Sequence, residues 1–156
     1  MTTTMPSPLS FQRPEAGPAP RVTTTVLVVE DDPHLLRLIT NGFARAGYKA
    51  FAAANGRQAL ALIDAVEPDL MVTDIVMPEK EGIATIIEAR RAAPNMAIIA
   101  MSGGGSFGRR GNFLQWAGEL GADAAMAKPF SMSELLDAAQ AVLGRRATTS
   151  ERMVAK

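Results

Sequence analysis

The stretch DLMVTDIVMP, residues 69–78, decides the fold class. Its apolar residues run almost without interruption up to Asp74, and a loop then opens at Met77 and Pro78. A strand that is buried on both faces of a parallel sheet has this near-continuous apolar composition, whereas a strand with one solvated face alternates. We therefore predict a parallel sheet in which Asp74 lies at the C-terminal end of a buried strand.

Strand-like and helix-like segments alternate on both sides of this stretch. The strand-like runs are residues 25–30, 48–53, 69–74, 97–102 and 124–128. Apolar residues three and four apart predict helices at 33–47, from Asn55, at 82–93, within 112–120 and from Ser131. Five such units predict an α/β fold, a doubly wound five-stranded parallel sheet of order 2-1-3-4-5 with helices on both faces.

The folded unit is predicted to span residues 25–144, with a tail on either side. Residues 1–24 are rich in Pro, Thr and Ser, and such a stretch buries too little apolar surface to offset its ordering entropy. We predict a disordered N-terminal tail there. Residues 145–156 are predicted to be a short, mobile, basic tail, which is too short for a DNA-binding or enzymatic output domain.

Composition excludes several classes of function. Lys plus Arg number 16, as do Asp plus Glu, so the chain has no general attraction for nucleic acid or anionic membrane. It has no cysteine, which excludes disulfides and thiolate metal sites. No apolar run is long enough to span a bilayer, and no secretory signal is visible. We expect a cytoplasmic protein without direct DNA binding.

Charged and polar residues stand at the ends of the predicted strands. Asp31 and Asp32 follow the first strand, Asp74 ends the third, Ser102 ends the fourth and Lys128 ends the fifth. In this strand order the first and third strands are neighbours, so their carboxylates should converge. Like charges about 4 Å apart repel by roughly 4 kcal/mol at an effective dielectric near 20, so the cluster should recruit a cation. Mg²⁺ suits carboxylates, waters and phosphate oxygens.

The same residues suggest a reaction. With a cation bound, a carboxylate oxygen of Asp74 could attack an activated phosphoryl group. Lys128 and the Ser102 hydroxyl would neutralise and hydrogen-bond the transferred oxygens. Taken singly, each residue has an ordinary explanation: Asp31 or Asp32 as a helix cap, Asp74 as an Asx-turn residue. Their joint placement at strand ends favours phosphoryl chemistry.

Residues 25–143 resemble the receiver domain of two-component response regulators. The resemblance lies in VLVVEDDP, TDIVMPEKEG, IIAMSGGG and AKPFSMSELL. It implies phosphoryl transfer to Asp74 from the phosphohistidine of a sensor histidine kinase or a histidine phosphotransfer protein. It also implies a cis peptide bond between Lys128 and Pro129. Signalling would then occur through an unknown protein partner, or by passing the phosphoryl group on.

The resemblance assigns a role to each matching residue. Asp74 is the phosphoacceptor. Asp32 is the main acidic Mg²⁺ ligand, with Asp31 acting through water and the backbone carbonyl of Val76 completing the shell. Ser102 is the hydroxyl switch, and Lys128 pairs with the phosphoryl group.

The chain departs from the family pattern in two places. The position three residues before Lys128, usually aromatic, is Ala125. The segment after Ser102 is rich in glycine, which permits unusual backbone conformations. We therefore hypothesise that phosphorylation orders the loop 103–112. The missing aromatic could be supplied by Phe107, Phe113 or Trp116, and the sequence selects none of them.

Two alternatives to a phosphorylated receiver remain open. One is a constitutive docking module, which the alanine at position 125 leaves open, although the intact set of Asp32, Asp74, Ser102 and Lys128 argues against it. The other is an aspartyl-nucleophile phosphatase, but Val76 occupies the place where such enzymes carry a second aspartate. Because neither Val76 nor Gly104 offers an acid or amide to position water, we predict a long-lived phosphoryl state. The expected output surface is the fifth strand with its flanking helices, near Ser102, Trp116 and Leu135.

Overall fold

The structure is a computed structural model, and it describes residues 23–75, 81–103 and 118–154. Several predictions fall outside these ranges: the backbone carbonyl of Val76, the side chain of Trp116, the loop beyond Gly103 and the tail up to residue 22. Of the helix predicted within 112–120, only residues 118–120 are described, and they are helical.

Nine helices and strands are described, close to the predicted positions. The strands are β1 (Thr25–Val29), β2 (Lys49–Ala53), β3 (Leu70–Asp74), β4 (Ala97–Gly103) and β5 (Ala124–Lys128). The helices are α1 (Pro33–Arg45), α2 (Gly56–Val66), α3 (Glu81–Ala92) and α4 (Met132–Val154). Among the helices that the structure describes, none combines the length and apolar composition needed to cross a bilayer.

The five strands form one parallel sheet of order β2-β1-β3-β4-β5, which confirms the predicted topology. The register aligns the C-terminal ends of the central strands. Val29 is opposite Thr73, and Asp74 is opposite Met101. Gly103 is opposite Lys128. One edge of the sheet therefore carries Asp74, Lys128 and the residue that follows β1.

Each face of the sheet has its own apolar core, because side chains of a strand point alternately to opposite faces. One cluster joins Leu27 and Met71 to helices α2 and α3, where Ile86 is fully buried. The other joins Val28 and its neighbours to α1 and α4 through a second set of buried side chains: Ile39, Phe43, Leu135, Ala139 and Val142. Two such layers are what a doubly wound sheet requires.

Local capping fixes where the helices begin. Asp32 is the N-cap of α1, with its side chain accepting from the backbone N–H groups of His34 and Leu35. In α4, the hydroxyl of Ser131 accepts from Glu134 N, and Glu134 accepts from Ser131 N, which is a capping box. These caps orient the residues that precede the helices, including those at the ends of β1 and β5.

Helix α4 is longer than the sequence predicts. The expected mobile tail begins at residue 145, but the helix continues to Val154. Arg146 anchors the first residues of this extension. Its guanidinium donates to Asp123 Oδ1 at 2.7 and 3.1 Å and to Pro94 O at 3.2 Å. Asp123 also accepts from Arg90 at 3.1 Å and from Ile98 N at 2.8 Å. This anchor joins α3, α4 and the start of β4.

Candidate functional site

The site is built around Asp74, the last residue of β3. Its side chain is buried, at 6% exposure, and lies at the sheet edge where the strand ends meet. Lys128, the last residue of β5, places its Nζ 2.8 Å from Asp74 Oδ2 and 2.8 Å from Glu30 Oε2. The lysine therefore bridges two buried carboxylates, which would otherwise repel each other.

Three carboxylates form an acidic cluster at this edge: Glu30, Asp31 and Asp74. One oxygen from each lies within 4.8 Å of the others. Glu30 and Asp74 are buried, whereas Asp31 is exposed. Hard oxygen donors with one open side suit a small divalent cation that keeps part of its water shell, as Mg²⁺ does. The donor set therefore fits the predicted cofactor.

The membership of this cluster differs from the predicted set of metal ligands at Asp32. Its carboxylate caps α1 at 2.9 Å from His34 N, and it is not one of the three clustered acids. Glu30 takes its place, with Oε1 accepting from Asp32 N at 3.2 Å. The sequence contains the signal for this assignment: Asp32 precedes Pro33 and already serves as the N-cap, and one carboxylate cannot easily serve both purposes.

Burial gives Glu30 unusual electrostatics. Loss of solvent raises its pKa from 4.5 to about 7, since the negative charge of Asp74 adds to the effect and the hydrogen bond from Lys128 only partly opposes it. For Lys128, burial lowers the pKa, but its hydrogen bonds to Asp74 and Glu30 outweigh burial and leave the pKa raised. Lys128 therefore remains protonated at neutral pH, whereas Glu30 titrates near neutral pH.

The remaining predicted residues lie on the neighbouring strands. Ser102 is buried near the end of β4, where its hydroxyl donates to Gly103 O at 3.4 Å. Ala125 lies opposite Ala100 and packs on the core cluster beneath α2 and α3. The Lys128–Pro129 peptide bond is cis, as the resemblance implies. Thus the edge of the sheet gathers Glu30, Asp31, Asp74 and Lys128, with Ser102 on the strand between β3 and β5.

Comparison with known proteins gives a family. A sequence model described as the response regulator receiver domain matches residues 26–140. Sporulation initiation phosphotransferase F of Bacillus subtilis is 33% identical over 118 residues, which cover 76% of this chain and 92% of that protein. The transcriptional regulatory protein CpxR of Klebsiella pneumoniae is 35% identical over 127 residues, which cover 81% of this chain and 52% of CpxR. The chain thus matches about half the length of that regulator.

Solved structures agree with this comparison. A CheY-like response regulator receiver domain from Methanospirillum hungatei superposes with a TM-score of 0.73 at 26% identity, covering 81% of this chain and 98% of that one. The Francisella response regulator 1452 receiver domain has a TM-score of 0.69 at 28% identity, with 79% and 98% covered. The match to the family model, residues 26–140, runs from β1 into α4 and so includes all five strands. The chain therefore belongs to the family of response regulator receiver domains, which act in two-component signalling.

Proposed function

We propose that the chain accepts a phosphoryl group on Asp74 from a sensor histidine kinase or a histidine phosphotransfer protein, and signals through a phosphorylation-dependent protein contact or a relay. One observation carries the proposal. Asp74 is a buried carboxylate that is held by Lys128 at 2.8 Å inside a cluster of three acids. A purely structural aspartate at a strand end has no need of two further carboxylates beside it.

The reaction uses the side chains at this edge. An oxygen of Asp74 forms a bond to phosphorus while the bond from phosphorus to the donor's histidine nitrogen breaks, so the product is an acyl phosphate. Lys128 supplies positive charge for the oxygens of the transferred group. Glu30, Asp31 and Asp74 are the residues that would hold Mg²⁺, which would supply further positive charge beside the acceptor carboxylate.

The name of one relative supports this proposal. One matching protein, which the chain covers over 92% of its length, is named a phosphotransferase. That name supports a relay as one output of the proposed phosphorylation, with contact to a protein partner as the other. The output surface proposed for this contact is β5 with α4, near Ser102 and Leu135. Ordering of the loop 103–112 and a long-lived phosphoryl state stay predictions, since most of that loop lies outside the described residues.

The test is phosphorylation by a small donor. Acetyl phosphate and Mg²⁺ should add one phosphoryl group to the wild-type chain, as measured by intact mass. Asp74→Ala should remain unmodified because it lacks the nucleophile. Asp64→Ala, which removes an exposed carboxylate of α2, is the matched control and should be modified like the wild type. An adduct that persists on Asp74→Ala, or no adduct on the wild type, would overturn the proposal.

A further inference from the structure

The first turn of α3 lies directly against the peptide that carries Asp74. Gly82, the second residue of α3, is buried. A Cβ atom added there would lie 2.6 Å from Ile75 Cα, 2.7 Å from Ile75 O and 2.8 Å from Asp74 O. Optimal contacts between carbon atoms are about 3.5–4.0 Å. Only a residue without a side chain therefore fits between α3 and the end of β3.

Both partners in this contact are backbone, so no side-chain rotation could relieve it. Asp74 is held in the sheet opposite Met101, and Ile75 N donates to Met101 O at 3.0 Å. Helix α3 is held by the fully buried Ile86. A larger residue at 82 would thus have to move either the helix or the peptide groups on which Asp74 and Ile75 depend.

We propose that Gly82 is a positioning residue for the Asp74 site: its missing side chain lets α3 support the end of β3 and sets where the acceptor carboxylate stands. The inference rests on the proposed function of Asp74. The carboxylate lies 2.8 Å from Lys128 and belongs to the acidic cluster, so displacing its backbone disturbs both relationships. Gly82 itself contacts no substrate and acts through Asp74 and Ile75.

Gly82→Ala is the smallest test of this inference. A displacement of about 1 Å at a reacting group can lower a rate by as much as a hundredfold. We expect phosphorylation by acetyl phosphate to slow by at least tenfold, and Mg²⁺ to bind several-fold more weakly by calorimetry. Both are measured on the full chain, under conditions where urea titration finds the variant folded.

Two control variants separate positioning from general effects of substitution. Ile86→Val removes one methyl group from the buried core of α3, one turn beyond Gly82, and lowers stability without crowding the site. Gly144→Ala makes the same chemical change at an open position of α4, where no described atom outside the helix's own backbone lies within 4 Å of the added Cβ. Both controls should be phosphorylated at the wild-type rate. If Gly82→Ala alone does not fold, the double variant Gly82→Ala with Gly144→Ala provides a stabilised background.

A second readout needs neither metal nor phosphodonor. In Mg²⁺-free protein, the Ile75 amide should exchange its hydrogen at least fivefold faster in Gly82→Ala than in Ile86→Val, because its bond to Met101 O is disturbed. Equal exchange and equal phosphorylation rates in these two variants would overturn the inference. A wild type that takes no phosphoryl group would overturn the proposed function instead, and the Ile75 amide would still decide whether Gly82 positions the strand end.

Discussion

Glu30, Asp31 and Asp32 are consecutive acids, yet the structure gives each a different environment. Glu30 is buried and paired with Lys128. Asp31 is exposed and points its carboxylate into the acidic cluster. Asp32 turns to the first backbone N–H groups of α1. Because side chains alternate in direction along β1 and α1 needs a cap, a shift by one residue exchanges a place in the acidic cluster for helix capping.

Two substitutions can distinguish helix capping by Asp32 from the proposed metal binding by Asp31. Asp32→Ala should lower the free energy of unfolding by about 1 kcal/mol, as loss of an N-cap does. Its Mg²⁺ affinity should stay within about twofold of the wild type, since the clustered carboxylates remain. Asp31→Asn should do the reverse, weakening Mg²⁺ binding roughly tenfold or more with little effect on stability.

Urea titration and calorimetry with Mg²⁺ measure the two quantities on the same samples. A loss of Mg²⁺ binding in Asp32→Ala equal to that in Asp31→Asn would show that Asp32 is itself a metal ligand.

At the scale of elements, the C-terminal helix depends on a contact far from the acidic cluster. Asp123 precedes β5, at the opposite end of that strand from Lys128. Its two oxygens accept from Arg90, Arg146 and Ile98 N. One partly exposed carboxylate thus connects helices α3 and α4 with the start of strand β4. Networks of this kind hold better than isolated surface ion pairs, because several groups share one fixed geometry.

Arg146→Ala should loosen the end of α4. We expect amide hydrogens of residues 145–154 to exchange faster, and the free energy of unfolding to fall by about 1 kcal/mol. Gln140→Ala, which shortens an exposed polar side chain on the same helix, is the control and should leave both quantities near wild type. Exchange that stays unchanged across 145–154 in Arg146→Ala would show that another contact holds the helix.

At the scale of the whole molecule, Glu30 couples the acidic cluster to folding. Its pKa is about 7 in the folded chain and 4.5 for a solvated glutamate. Between pH 4.5 and about pH 7, Glu30 keeps its proton in the folded state and has lost it in the unfolded state. Stability therefore falls as pH rises from about 4.5 to about 7. The opposite holds for a carboxylate whose pKa is lowered by folding, so the direction of the change identifies the buried glutamate.

Urea titrations of Mg²⁺-free protein at pH 5, 6 and 7.5 test this coupling. The wild type should lose stability across the series relative to Glu30→Gln, which cannot titrate at this position. The difference should reach at most about 3 kcal/mol, because one pKa unit corresponds to about 1.4 kcal/mol. A difference that is constant with pH, or that grows in favour of the wild type, would contradict the raised pKa.

Most of the fold follows from the sequence because it is recorded in local patterns. Buried parallel strands such as β3 and β4 are continuous apolar runs, and Asn55 and Ser131 mark where helices begin. Two features are not local. The length of α4 depends on Arg146 meeting Asp123, which lies 23 residues earlier in the chain. The burial of Glu30 depends on a lysine 98 residues away.

The site itself was only partly predictable for the same reason. Asp74, Asp31 and Lys128 follow from their places at strand ends. Gly82 does not, because the pattern of α3 contains no sign that its first turn approaches the backbone of β3. Close approach of two backbones is a property of the assembled fold, and only coordinates reveal it.

The bridge from Lys128 also bears on the order in which the pocket can be completed. Glu30 follows β1, and Asp74 and Lys128 end β3 and β5, so the Lys128 ammonium reaches the two carboxylates only after these strands have paired through β4. A chain that is still emerging from the ribosome, or is cut before β5, lacks Lys128, and Glu30 and Asp74 then have no positive charge between them. The chain could then accept a phosphoryl group only after its synthesis and folding are complete.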